Sequence, residues 1–266
     1  MSLRDELGGI VPDEKRDQVP SHFSLVGNVA VLSIPPTLEG QKKTIGEAII
    51  SNHGYIKTVL NKASMLEGER RVASFEVLAG EETITCHREF GFVYRFDVAR
   101  VFFNARLGYE RRRVASKARP GELVIVPFSG VGPFAIPIAA VGARVLALEI
   151  SPEACRWLAE NAKLNRVEGN VDTVNCDAFA VCSVLNQKFD RAVVPTPYGK
   201  DEILDAISPI VKPAGGAIHF YTFKKRHQIE DLIREFEDKG FEVEFYRRCG
   251  NVAPGVSRWV FDLVKL

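Results

Sequence analysis

The chain has 266 residues, 46% hydrophobic and 26% charged, and its 35 basic and 34 acidic side chains leave a net charge of +1. Such a chain holds one large domain or two smaller ones with real cores, and its overall charge does not single out a nucleic-acid binder. No apolar stretch reaches the roughly 18 residues that span a bilayer. Met1 to Leu7 does not read as a signal peptide. Five scattered cysteines (Cys86, Cys155, Cys176, Cys182, Cys249) suggest neither a metal site nor a disulfide framework, which points to the reducing cytoplasm.

Residues 1–20 are polar and read as a loosely attached arm with one short helix. Val26 to Ile34 alternates as a strand. Lys42 to Ser51 has helical periodicity, with Ile45, Ala48 and Ile49 on one face. Thr58-Val-Leu precedes a polar connection, and strands are expected at 74–79, 83–87 and 92–96. Residues 21–100 thus predict a small α+β domain. From Pro120 the pattern alternates, with strands at 122–127, 144–149, 171–175, 190–195, 215–222, 241–247 and 257–264. Helices are expected at 133–142, 152–165, 200–211 and 225–239. Ser151 and Pro152 mark the start of the second. Alternating strands and helices predict a mainly parallel sheet, and the last two strands, with no helix between them, an antiparallel edge. The domain assigned to 101–266 includes a basic connecting segment, 105–119.

The most informative stretch is Glu122 to Phe134, an apolar strand running into Ser129-Gly130-Val131-Gly132-Pro133-Phe134. Gly130 and Gly132 let a ligand approach the backbone, and N–H groups of the following helix would face it. Glu149 closes the next apolar run, where an acid accepts hydrogen bonds from ribose hydroxyls. An ordinary strand-to-helix turn is the plainer reading of the glycines alone. G-x-G-P lacks the third glycine of a dinucleotide fingerprint, so S-adenosylmethionine fits best. Between Ala105 and Arg119 the chain carries six basic residues and one acid, Glu110. The run is either a solvated helix face or a phosphate-contacting surface, and Glu110 either a candidate base or half of a helix salt bridge.

Glu69-Arg-Arg71, Glu76-Val-Leu-Ala-Gly80, His87-Arg-Glu89, Asp97-Val, Ala105-Arg-Leu107, Glu110-Arg111 and Phe128 to Phe134 follow in order. Together they resemble the archaeal and eukaryotic tRNA guanine-37 N1-methyltransferases (the Trm5 family). The likeness extends to Ile218-His-Phe-Tyr-Thr222 and Val252-Ala-Pro254. It implies an α/β class I S-adenosylmethionine-dependent methyltransferase domain, Rossmann-like with a seven-stranded, mostly parallel sheet, behind a small α+β domain. The implied substrate is the guanine 3′ of the anticodon in tRNA. By the resemblance, Glu110 takes the N1 proton, Arg71 (or Arg70) stabilises charge on O6, and Pro197 completes the catalytic set. Phe128, Gly130, Gly132, Glu149, Ile150, Asp177, Ala178 and Pro195 would hold the cofactor. Arg106, Arg111, Arg113 and Tyr198 would hold tRNA. No metal is implied, and a cytoplasmic monomer is expected.

Three departures stand out. Val126 occupies the position of a family aspartate at the end of the first strand, and Ala105 that of a proline. Pro195-Thr196-Pro197 replaces N-L-P, which removes an asparagine: either Thr196 or a backbone carbonyl takes its place, or the target base differs. The domain that grips the tRNA elbow is not recognised in the sequence. The runner-up is therefore the TYW2 (Taw2) type, an aminocarboxypropyltransferase of the wybutosine pathway acting at the same tRNA position. A tRNA-binding paralogue with weak catalysis is the third reading.

Overall fold

A computed structural model describes residues 3–63 and 74–266. The chain forms two compact units that divide between Ala105 and Arg106. In the first, a short helix α1 (Leu3–Glu6) is followed by strands β1 (Ser24–Val26) and β2 (Val29–Leu32), helix α2 (Lys42–Asn52), and strands β3 (Thr58–Lys62) and β4 (Phe75–Ala79). These strands make a sheet in the order β1-β2-β3-β4, with β2 and β3 parallel and both outer pairs antiparallel. Strands β5 (Ile84–Glu89) and β6 (Phe92–Asp97) form a separate antiparallel ribbon.

Two sequence expectations are corrected in this unit. The single strand over 26–34 is a hairpin, because Gly27 turns the chain at φ +57°. A Cβ there would lie 2.1 Å from the Thr85 hydroxyl, so the turn needs glycine. The N-terminal arm is not loosely attached. Leu3, Leu7, Val11 and Val19 are buried in one core with Ile45, Ile49 and Val59, and Arg4 Nε donates to the Val19 carbonyl at 2.8 Å. Leu3, Leu7 and Val11 are four residues apart, the spacing of one helical face, and each finds the core. The unit also runs past residue 100: the Phe103 ring packs 4.7 Å from Phe96 and 4.9 Å from His87.

The second unit opens with helix α3 (Gly108–Ala115). Then come β7 (Leu123–Pro127), α4 (Ala135–Ala140), β8 (Arg144–Glu149), α5 (Pro152–Leu164), β9 (Val171–Asn175), α6 (Ala178–Cys182), β10 (Arg191–Val194), α7 (Ile203–Ile207), β11 (Ala217–Lys224), α8 (Ile229–Asp238), β12 (Phe241–Ala253) and β13 (Val256–Lys265). The seven strands lie in the order β12-β13-β11-β10-β7-β8-β9. Strands β7 to β11 run parallel, and β13 and β12 close the edge antiparallel. This is the class I methyltransferase sheet. Its order reverses between β7 and β10, and in open α/β sheets the crevice beyond the carboxyl ends of such strands is where ligands bind. Ser151 Oγ caps α5 by accepting from Ala154 N at 3.3 Å, with Pro152 in the first turn.

Helices come out shorter than the sequence pattern: residues 208–210, containing Pro209, and 226–228 wind as 3-10 turns beside α7 and α8. Strand β12 comes out longer. The expected strand ends at 247, but pairing with β13 continues to Ala253↔Val256 through three register shifts.

Candidate active site

At the end of β7 the chain enters the glycine turn with Phe128 at φ +54°, Gly130 at +55° and Gly132 at +92°. Phe128 is a bulky residue in the left-handed region, a strain that tends to collect at ligand sites. A Cβ on Gly132 would come within 2.9 Å of Ile136 Cδ1 and 3.2 Å of Leu158 Cγ, so this glycine lets α4 and α5 close on the turn. Two N–H groups of the turn itself are engaged within the protein. Gly130 N donates to Glu149 Oε2 at 2.8 Å, the carboxylate at the end of β8, and Gly132 N to the Ser129 carbonyl at 3.0 Å within the turn.

Glu149 is thus locked beside the turn. Ser151 N donates to its other oxygen at 2.9 Å. Burial pushes its pKa up, against the amide hydrogen bonds from Ser151, Gly130 and Ile150, which pull it down. The Gly130 and Ser151 bonds fall on different oxygens, each with a further lone pair, so the carboxylate retains acceptor capacity for ribose hydroxyls. Asn175 Nδ2 donates to the carbonyls of Glu149 and Ile150, holding the ends of β8 and β9 together. Asp177 Oδ1 caps α6 by accepting from Phe179 N at 3.0 Å, and Ala178 is buried behind it. The Phe128 and Phe179 rings lie 6.2 Å apart, and Ile150 is exposed. Acid for ribose, apolar side chains for a base and a second acid beyond them make a donor set that fits the nucleoside of S-adenosylmethionine.

The acceptor side lies behind the turn. The Phe134 ring packs 5.3 Å from Tyr221, whose hydroxyl donates to Glu110 Oε2 at 3.2 Å. Glu110, on α3, is 2% exposed. Arg113 Nε also donates to Oε2, at 3.0 Å, while the bond recorded on Oε1 comes from Arg247 of β12. The salt-bridge reading of Glu110 is therefore realised. Burial and the Glu110 charge raise the Tyr221 hydroxyl well above the ordinary tyrosine pKa, which leaves it a hydrogen-bond donor. Burial and Glu110 also push the nearby Cys249 thiol up to about 12.

Arg113 reaches on to Asp262, donating through both terminal nitrogens at 2.6 and 3.0 Å. Lys117 Nζ adds a bond at 2.7 Å. Burial would raise the Asp262 carboxyl, but bonds from His219, Arg113 and Lys117 hold it far below the usual carboxylate range. Burial lowers His219. Its Nε2 faces Arg191 at 2.7 Å and its Nδ1 faces Asp262 at 2.7 Å. Since arginine only donates, the proton sits on Nδ1. Arg191 continues to Glu122 at 2.9 Å. A line of buried polar groups therefore runs from Glu122 to Glu110.

Two residues expected to contact tRNA are withdrawn from solvent. Arg113 is 12% exposed and forked onto carboxylates, and Arg111 is 2% exposed. Helix α3 turns them inward, so neither presents its charge to a phosphate. Arg106 and Tyr198 are on the surface. Pro195 and Pro197 are half-buried in the loop after β10, and the Thr196 hydroxyl between them is bound to the Val194 carbonyl at 3.2 Å. Arg71 and Arg70 lie outside the described residues. Sequence reasoning missed Tyr221, Arg247 and Asp262. A legible signal existed for Asp262, a lone charge within Trp259-Val-Phe-Asp-Leu-Val264.

A family model of the TRM5/TYW2 methyltransferase domain matches residues 85–245, and one of the TYW2 N-terminal domain matches residues 3–83. The tRNA (guanine(37)-N(1))-methyltransferase Trm5b of Pyrococcus abyssi is 42% identical over 92% of this chain and 74% of its own length. The tRNA(Phe) (4-demethylwyosine(37)-C(7)) aminocarboxypropyltransferase of Pyrococcus horikoshii is 32% identical over 98% of this chain and 95% of its own. A solved complex of aTrm5 and tRNALeu superposes with TM-score 0.89 and 30% identity, covering all of this chain and 78% of that one. With a domain match across more than half its length, this chain belongs to the TRM5/TYW2 methyltransferase family.

Proposed function

We propose that the protein methylates N1 of guanine 37 in tRNA, using S-adenosylmethionine. The observation that carries this reading is the 42% identity, over 92% of the chain, to a protein of that activity. The bound cofactor supplies a sulfonium methyl already activated for transfer. Glu149 holds the ribose and, through Gly130, ties it to the turn. Guanine N1 carries a proton at neutral pH, so a base must remove it as the methyl bond forms. Glu110 is that base in this reading. Its Oε2 is fixed by Tyr221 and Arg113, both buried, whereas Oε1 is held by Arg247, 38% exposed. Oε1 is accordingly the oxygen that exchanges its partner for the N1 proton. Arg71 stabilises the charge developing on O6. The Thr196 hydroxyl is committed to Val194, so carbonyls of the Pro195–Pro197 loop take the part of the family asparagine. We also read the enzyme as a cytoplasmic monomer working without a metal; five cysteines outside any disulfide support that compartment.

A second reading has its own support. The TYW2 N-terminal domain matches residues 3–83, and the match to the aminocarboxypropyltransferase spans 95% of that protein. S-adenosylmethionine labelled either in the methyl or in the carboxyl group separates the two. Methyl label in tRNA supports methylation; carboxyl label in tRNA supports the second reading.

A further inference from the structure

With Arg111 and Arg113 turned inward, basic charge facing solvent concentrates elsewhere in the same unit. Between Ala217 and Ile229 the chain carries Lys224, Lys225 and Arg226 and no acid. Between Phe245 and Phe261 it carries Arg247, Arg248 and Arg258 and again no acid. Lys224 pairs with Asp201 and Arg247 with Glu110, which leaves Lys225, Arg226 and Arg248 as the exposed cations of these two segments. The fold sets the segments side by side, since β11 pairs with β13 and Lys224 lies opposite Ser257.

The β12–β13 hairpin continues beyond this last pair to a turn at Pro254-Gly255, where Gly255 adopts φ +73°. Residues 250–255 are all exposed. Between the hairpin and the turn after β11 is a cavity of about 710 Å³, lined by Arg226, Arg248, Asn251, Ser257, Trp259 and the hairpin tip, with no carboxylate among its lining residues. Arg226 and Arg248 are exposed, and neither makes an ion pair among the described residues. Trp259 forms the floor, its Nε1 donating to the Lys224 carbonyl at 3.2 Å.

The surface is continuous with the loop after β10. Arg258 stacks 4.8 Å above the Phe223 ring, and Phe223 lies 5.4 Å from the ring of Tyr198, which is 61% exposed. A run of stacked groups therefore links Tyr198, through Phe223 and Arg258, to the hairpin.

We propose that this cleft docks the phosphate backbone of the RNA next to the target base, with Arg226 and Arg248 as the charge contacts and Asn251 and Ser257 as neutral donors. The inference rests on the tRNA reading above and adds to it where the strand runs. Guanidinium groups suit phosphate because their fork of N–H donors meets two oxygens at once. Unpaired at the surface, they lose no ion pair on binding.

The test uses the full chain carrying Arg226→Ala and Arg248→Ala together. The comparison is a pair with the same charge change on other elements, Arg144→Ala and Lys163→Ala. Each protein is first titrated with S-adenosylmethionine to show that the cofactor site is intact. Affinity for a tRNA with guanine 37 is then measured across a salt series. Each lost phosphate contact removes about 0.7–0.9 from the slope of log affinity against log salt. The cleft variant should therefore lose about 1.4–1.8, with KM for tRNA raised and kcat at saturation kept. Unchanged slope and KM in the cleft variant, or equal losses in the comparison pair, overturn the docking surface while methylation by the wild type still stands. Wild-type protein that binds the cofactor but neither binds nor modifies tRNA overturns the tRNA reading, and the docking surface with it.

Discussion

Replacing Asp262 by asparagine perturbs the centre of the buried line and should destabilise the second unit severely. The carboxylate is 3% exposed and accepts from four donors: two on Arg113, one on Lys117 and one on His219. Both partners of Oδ2, Arg113 and Lys117, are cationic donors. An amide at that place sets NH2 against N–H, and the opposite flip sets it against Arg113 and His219. Arg113, 12% exposed, would keep its charge with its main counter-ion gone. Breaking a buried pair from one side costs about 3–5 kcal/mol. At roughly 2–4 °C per kcal/mol for a domain of this size, the melting temperature should fall by about 6–20 °C. Urea unfolding of the wild type and the variant gives the difference directly, provided the slope with denaturant is the same for both. Adding Arg113→Met to Asp262→Asn removes the stranded charge and should recover part of the loss. A loss below about 1 kcal/mol, or a double variant no better than the single, would refute the reasoning.

Three further predictions follow from the same geometry. The Asp262 carboxyl sits below its unfolded value of about 3.9, so the stability it contributes is complete above about pH 5 and drains away as acid protonates it. The free-energy gap between wild type and Asp262→Asn should accordingly narrow below about pH 4; a gap constant down to about pH 2.5 contradicts the linkage. Glu149→Gln presents an NH2 to Gly130 N or Ser151 N and weakens the acceptor for ribose. Since one hydrogen bond to a charged group contributes about 1.5–3 kcal/mol, the dissociation constant for S-adenosylmethionine should rise roughly tenfold to a hundredfold by calorimetry. Glu110→Gln should leave cofactor affinity alone and lower kcat about 10²- to 10⁴-fold, and turnover within threefold of wild type removes Glu110 as the base.

Much of the second unit could be read directly from the sequence because its central strands are buried on both faces. Leu123 to Pro127, Arg144 to Glu149 and Ala217 to Lys224 are short apolar runs bounded by polar or glycine-containing turns, and no other local structure suits them. The placement of Glu149 beside the glycine turn was equally accessible, since β7 and β8 are neighbours in a parallel sheet; the bond between Gly130 N and its carboxylate was not. Nor was the direction of side chains on α3. Arg111, Arg112 and Arg113 read as one basic run, yet helical geometry sends them to different faces, and what receives Arg113 is Asp262, 149 residues away. The arm misled for a related reason: Leu3, Leu7, Val11 and Val19 reach the core singly, with polar residues between. Length along β12 was hidden by Cys249-Gly-Asn251, whose irregular pairing is rescued by the neighbouring strand.

The most direct measurement is nucleoside mass analysis of tRNA carrying an unmodified guanine 37, after incubation with the protein and S-adenosylmethionine. The expected product is 1-methylguanosine at position 37, and none when that guanine is replaced by adenine. An aminocarboxypropyl adduct, or tRNA left unmodified by protein that binds the cofactor, would contradict that expectation.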